Sequence, residues 1–314
     1  MRPCRKGESI MSKIWFNVIL AAGLALPVYA APKKVLVVTT TLGFRHSSIP
    51  TAEKIIGKLA KESGAFDVEY VQQPTEPKQP AKPKPEADEA TKAAYQAEME
   101  KYNAARKDFM GRMKQALSKL SPENLKNYDA VIFANTTGDL PLPDPQGFLD
   151  WIKAGHGFVG MHSASDTFHG FRPYIDMIGG EFQSHGAQVG VDAINEDKTC
   201  PACKHLGDTW GVFDEIYLFK NFTRGNVHAL LSLDKEPNKK TPGYYPVSWI
   251  KKYGQGRVFY TSLGHREDVW DDDPNMKGRK NPPEVSKAYQ QHILAGIKWA
   301  VGLETMDATP QKQQ

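Results

Sequence analysis

The segment WIKAGHGFVGMHSASDTF, Trp151–Phe168, decides how the rest of the chain is read. Trp151 and Ile152 close a helical pattern, Gly155 and Gly157 make a turn, and Phe158–Met161 is a short apolar run. Flanked by glycine, a run this short reads as a buried strand rather than a helix. It ends abruptly in His162, Ser163, Ser165, Asp166 and, slightly further on, His169. Open α/β sheets bind ligands beyond the carboxyl ends of their strands, so this polar cluster is the first candidate for a site. A polar turn is also an ordinary way to leave a sheet, and the segment alone does not choose between the two.

The same strand-then-polar-loop pattern recurs upstream. KKVLVVTT (33–40) is rich in β-branched residues, as expected of a parallel strand buried on both faces, and runs into the polar loop TLGFRHSS (41–48). Ser47 or Ser48 can cap a helix with Ile55, Ile56 and Leu59 on one face, stopped by Gly64. Phe66–Val71 alternates as a second strand, and YDAVIFA (128–134) is a third, ended by Asn135, Thr136, Thr137 and Gly138. Asp144 followed by Pro145 is a helix start leading through Phe148, Leu149, Trp151 and Ile152. Buried strands with polar carboxyl ends and intervening helices predict a doubly wound, mainly parallel sheet. After Gly180 the pattern turns to antiparallel strands, expected at 188–194, 213–219, 227–233, 247–253 and 257–262. A last helix, about Pro283–Val301, carries Tyr289, Ile293, Ile297 and Trp299 back onto the core.

One stretch breaks the rhythm. QQPTEPKQPAKPKPEA (72–87) has no large apolar residue and reads as an extended linker. Ala87–Leu120 follows as one long helix with Tyr95, Met99, Tyr102, Phe109, Met113 and Leu117 at helical spacing. Residues 72–110 are therefore an insertion within a domain spanning 31–306, and 307–314 are expected to be a disordered tail.

Residues 1–30 read as a signal peptide. Lys13 precedes an apolar run, Ile14–Leu26, and Val28, Ala30 and Ala31 offer small residues for cleavage near Ala30. The run is short for a membrane span, and no later stretch approaches ~20 apolar residues. The expected product is periplasmic or secreted, with no stable membrane span. Arg2, Arg5, Lys6 and Lys13 against Glu8 make the signal +3, so its removal from a chain of +4 leaves +1. Basic residues are scattered rather than interleaved with aromatics, which argues against nucleic acid. In an oxidising compartment the remaining cysteines, Cys200 and Cys203 of CPACK, are expected to form a local disulfide. A redox pair, a two-sulfur contribution to a zinc site and a c-type haem attachment are weaker readings of the same motif.

Lys33–Thr40, the NTT of 135–137, GFVGMHSASD, IGGEFQSH (178–185), FDEIYLF (213–219) and GRVFYTSLGHRED (256–268), in this order, resemble the trehalose-utilisation, or ThuA-like, domain. The resemblance runs from about residue 33 to 303. It implies a flavodoxin-like fold of the class I glutamine amidotransferase type, with added antiparallel strands, and a link to disaccharide or keto-sugar metabolism. In the amidotransferases the strand matching Phe158–Met161 ends in a nucleophilic cysteine. Here His162 stands at that elbow, so cysteine-dependent chemistry does not carry over.

The candidate site is built from residues at strand ends. His162, Asp166 and His265 are the expected acid–base residues, because imidazole titrates near neutral pH and a carboxylate can orient it. Arg45, His46, Ser163, Glu215 and Trp270 are the candidates for holding a carbohydrate. Trp270 is preferred over Trp210 and Trp249 as a stacking surface because it adjoins Asp271–Asp273. Histidines at strand ends also permit a divalent metal such as zinc, with His46, His162 and His185 as its ligands. Two functions follow: an exported sugar-processing enzyme, or a non-catalytic carbohydrate-binding protein.

Overall fold

A computed structural model describes residues 31–311, together with Met1, Pro3 and Gly7. The segment 1–30 expected to be a signal peptide, apart from those three residues, and residues 312–314 lie outside the described residues. Strand β1 (Lys33–Val38) leads to helix α1 (Ile49–Ser63) and then β2 (Phe66–Val71). Helix α2 (Glu89–Leu117) and the short α3 (Pro122–Leu125) precede β3 (Ala130–Ala134), α4 (Pro145–Lys153) and β4 (Gly157–Met161). Then come α5 (Arg172–Ile178), β5 (Glu181–His185), β6 (Val189–Asn195), β7 (Thr209–Asp214), β8 (Tyr217–Lys220) and β9 (His228–Lys235). The chain ends with β10 (Pro242–Tyr253), β11 (Gly256–Thr261), α6 (Glu267–Trp270) and α7 (Pro283–Ala300).

Nine strands form one sheet in the order β2-β1-β3-β4-β11-β10-β9-β6-β7. The first five are parallel to one another and the last four continue antiparallel. Relabelled by their own sequence order, the parallel strands run 2-1-3-4-5, the flavodoxin-like arrangement, whose ligand crevice opens where the order reverses, between β1 and β3. This is the doubly wound sheet with antiparallel additions expected from the sequence.

Alternation along each strand splits the core in two. Val35, Val37, Ile132, Val159 and Met161 meet Ile55, Ile56, Ile293 and Ile297 of α1 and α7. Leu36, Val38, Val131, Phe133 and Phe158 meet Phe109, Met113, Phe148 and Tyr174 of α2, α4 and α5. Helix α7 lies so close that a Cβ on Gly296 would sit 2.5 Å from the Phe259 ring, so only glycine permits this approach. Phe133 lies between Phe158 and Phe148, with ring centroids at 5.2 and 5.7 Å, and each such buried ring contributes about 2–3 kcal/mol.

The helix ends follow the expected chemistry with one exception. Asp144 accepts from the amide of Gly147 at 2.8 Å, and Gly64 closes α1 in the left-handed region at φ 59. Ser48 occupies the cap position of α1, but its hydroxyl donates to the Gly264 carbonyl, 3.0 Å away in the loop after β11. The interruption at 72–110 is a proline-rich strap followed by α2, which buries Phe109, Met113 and Leu117 in the core near its carboxyl end.

Three expectations are revised. The strand expected over 213–219 is broken at Glu215 and Ile216, because its second half leaves the main sheet and pairs with β5 as a two-stranded ribbon. The segment 307–311, expected to be disordered, is docked: Gln311 donates to the Val227 carbonyl at 3.1 Å, and His228 Nδ1 lies 2.9 Å from the Thr309 carbonyl. Cys200 and Cys203 are free and buried rather than disulfide-bonded. Their turn aims Cys200 Sγ at Met306 Sδ, 3.5 Å away, and Cys203 Sγ at the Leu230 carbonyl. Buried against protein, the sulfurs also leave no surface on which a haem could be attached.

Candidate metal centre

Four side chains converge at the carboxyl rim: His46 after β1, His162 after β4, Glu215 between β7 and β8, and His265 after β11. One donor atom from each lies within 4.8 Å of all the others. The parallel sheet explains the meeting. Met161 is in register with Ala134 on one side and Thr261 on the other, so His162 emerges in the middle of the rim. Its φ of 48 is unusual for a residue other than glycine, and this sharp turn lifts the imidazole off the end of β4.

The hydrogen bonds fix the tautomers. His162 Nδ1 lies 2.7 Å from the Ser262 carbonyl, which only accepts, so Nδ1 carries the proton and Nε2 presents a lone pair. That lone pair faces His46 Nε2 at 3.2 Å, and His46 Nδ1 is turned to Ser163 Oγ at 3.3 Å. Nitrogen ligands on an ion with bonds of about 2.0–2.1 Å sit roughly 3 Å apart, so the 3.2 Å gap suits a shared cation. Glu215 Oε1 lies 3.2 Å from His265 Nδ1 and 3.8 Å from His162 Nε2. His265 Nδ1 is close to that oxygen yet poorly aligned, and it has no hydrogen-bond partner although buried. A cation within the cluster would give this nitrogen a well-aligned partner.

The electrostatics hold His46 and His162 neutral and favour a proton on His265. Burial, with the neighbouring His265, lowers His46 to about 4. Burial, with His46, also holds His162 well below the usual imidazole value. Burial opposes protonation of His265, but Glu215 outweighs it and raises that pKa. Asp214, buried beside the centre and pushed up to about 7 by desolvation, accepts from the amides of Gly264 at 2.7 Å and Arg266 at 3.1 Å. It thereby sets the loop that carries His265.

The sequence-derived candidates are thus partly regrouped. His46, His162, Glu215 and His265 come together, and Ser163 steadies His46. His185, expected as a ligand, stands outside the set, 44% exposed at its side chain, with Nδ1 3.0 Å from Glu215 Oε2. Asp166 does not orient His162; it pairs with His169 Nε2. Arg45 folds back onto the Thr39 carbonyl at 2.9 Å and Gln73 at 3.1 Å. Trp270 is fully buried, its indole donating to the Gly264 carbonyl at 2.8 Å, and offers no stacking surface.

A second polar cluster, not read from the sequence, lies on the β5–β8 ribbon. Glu181, 3% exposed, meets His169 Nδ1 at 2.9 Å, Asn221 Nδ2 at 2.7 Å, Lys220 Nζ at 3.2 Å and the Gly170 amide at 3.2 Å. Burial alone would raise the Glu181 pKa, but these donors outweigh it and bring it down to about 2. The available signal was the Asp166/His169 pair in one turn and a glutamate directly after Gly179-Gly180.

Fold and site together define a doubly wound α/β protein with a histidine–carboxylate centre at its strand ends. The trehalose utilisation (ThuA) family matches residues 79–300. A ThuA-like protein from Parabacteroides merdae is 18% identical, with a TM-score of 0.59 over 88% of this chain and 92% of that one. Another, from Bacteroides uniformis, is 17% identical, with a TM-score of 0.57 over 90% and 97%. No curated protein matches the sequence. The chain belongs to the ThuA, or trehalose utilisation, family.

Proposed function

We propose that the protein is an exported carbohydrate-active enzyme that acts on a disaccharide or keto-sugar through a divalent metal ion. His46, His162, Glu215 and His265 hold that ion. The observation that carries this is the convergence of four donors, with the lone pair of His162 turned inward and His265 Nδ1 left unpaired. Four protein ligands would close a tetrahedral zinc ion, as in structural sites. Catalysis at this centre therefore calls for an ion that accepts five or six ligands, such as manganese, iron, cobalt or nickel. Held by these residues, such an ion would supply Lewis-acid chemistry toward a sugar carbonyl or hydroxyl. His185, exposed and hydrogen-bonding distance from Glu215 Oε2, is placed to exchange a proton with substrate at the rim.

Family membership supports the carbohydrate class, and the sequence of residues 1–30 supports export. Among the described residues no helix is long and apolar enough to cross a membrane. The test is turnover of trehalose, other disaccharides and their 3-keto derivatives by metal-reconstituted protein, with fractionation of the producing cells to locate it. Activity that disappears with a chelator and in His162→Ala supports the proposal. Sugar binding that survives in His162→Ala, with no turnover of any sugar by the wild type, favours the non-catalytic binding protein instead.

A further inference from the structure

Apart from Met1, the exposed large apolar side chains among the described residues are Phe44 and Leu303. Phe44 is 66% exposed and sits at the metal centre, its ring 4.8 Å from that of His46 and nearly perpendicular to it. The loop that presents it is held firmly. Thr137 Oγ1 donates to the Phe44 carbonyl at 2.9 Å and lies 3.2 Å from the Gly43 amide, while the Leu42 amide donates to the Thr137 carbonyl at 2.9 Å. A Cβ on Gly43 would come within 3.1 Å of Thr137 Oγ1, so the two loops touch closely. Burying a phenylalanine ring contributes about 2–3 kcal/mol, and here the fold leaves that contribution unused beside its candidate centre.

The surroundings say what the ring is for. Its sequence neighbours are Gly43, Arg45, His46 and Ser47, and among the described residues the other exposed large apolar side chains are Met1 and Leu303, not a broad patch of the kind that marks a protein interface. A single aromatic face with polar groups around it matches a pyranose. One face of such a sugar is apolar C–H, which the negative face of an aromatic ring attracts, while its hydroxyls remain free at the edge. We propose that Phe44 is the stacking platform for a sugar ring, seating it beside His46 so that its oxygens face the centre. This assignment rests on the carbohydrate reading above. It replaces Trp270, the stacking candidate of the sequence, which the fold buries.

The experiment compares wild type, Phe44→Ala, Phe44→Trp and Leu303→Ala, each checked for metal content and thermal midpoint. Trehalose, maltose, cellobiose and sucrose, with their 3-keto derivatives, are titrated calorimetrically, and tryptophan emission is followed in Phe44→Trp. The expected result is a weakening of about ten-fold in Phe44→Ala for whichever sugar binds the wild type, with metal content and midpoint unchanged. Phe44→Trp keeps the affinity and its emission shifts on sugar addition, while Leu303→Ala binds as wild type does. Sugar binding that is equal in wild type and Phe44→Ala overturns the platform and leaves the carbohydrate reading standing. Failure of all four sugars and of their 3-keto derivatives to bind wild type overturns both.

Discussion

Two histidine–carboxylate clusters lie at the same rim, and they are satisfied to opposite degrees. Around Glu181 every strong group is matched: His169 has a carboxylate at each ring nitrogen, and Glu181 receives four donors. Around His162 the groups are more deeply buried and less matched, with two Nε2 atoms facing each other and His265 Nδ1 unpaired. A saturated cluster stabilises the position of chain segments, here the β5–β8 ribbon against the loop after β4. An unsaturated buried cluster is arranged for something that arrives from outside. The ribbon links the two, since β5 ends in His185 and β8 begins just after Glu215.

This contrast can be broken by substitution. The largest expected effect is on metal affinity in Glu215→Ala, which removes the one anionic donor; affinity should fall beyond the range of 10–100-fold known for outer-shell partners. A titration with manganese or zinc that gives wild-type affinity for this variant would remove Glu215 from the centre. His185→Ala should lose less, within roughly 10–100-fold, because its ring touches the outer oxygen of Glu215 and not the cluster itself. In the saturated cluster, Glu181→Gln should cost about 1–3 kcal/mol in denaturant unfolding while metal stoichiometry is kept. Loss of metal in that variant would mean that the two clusters are one.

The smallest effect is on pH. Glu181 is depressed from 4.5 to about 2, so its contribution is complete above about pH 4.5 and is lost as pH falls toward 2. For His169, burial lowers the pKa but Asp166 and Glu181 outweigh it and raise it above 6.5, so its contribution is complete below 6.5 and is lost as pH rises through the raised value. The Glu181 cluster contributes most between about pH 4.5 and 6.5. Thermal midpoints of wild type minus Glu181→Gln, measured across pH, should peak in that window; a flat difference would show that the cluster is not ionised as described.

Much of this was legible in the sequence for a simple reason. Buried parallel strands are short apolar runs, and each of KKVLVVTT, YDAVIFA and GFVGM stops where polar side chains begin. His46, His162 and His265 could be placed at strand ends from that pattern alone. Their convergence could not, because it depends on register between strands far apart in sequence. Glu215 was read as strand because FDEIYLF is apolar on both sides; only the departure of its second half to the ribbon frees the carboxylate. β5 itself, EFQSH, has exposed residues in succession and no alternation to reveal it. Trp270 misled for a local reason. The acidic run beside it suggested exposure, yet Asp271 and Asp272 pair with Lys54 and Lys58 of α1 while the indole turns inward.

The most direct test of the metal centre is elemental analysis of the full-length protein purified without chelators and after reconstitution, for wild type, His265→Ala and Glu181→Gln. The account predicts one transition-metal ion per chain in wild type and Glu181→Gln, and its loss in His265→Ala. A wild-type protein that takes up no ion under reconstitution, or a His265→Ala variant that retains it fully, would contradict it.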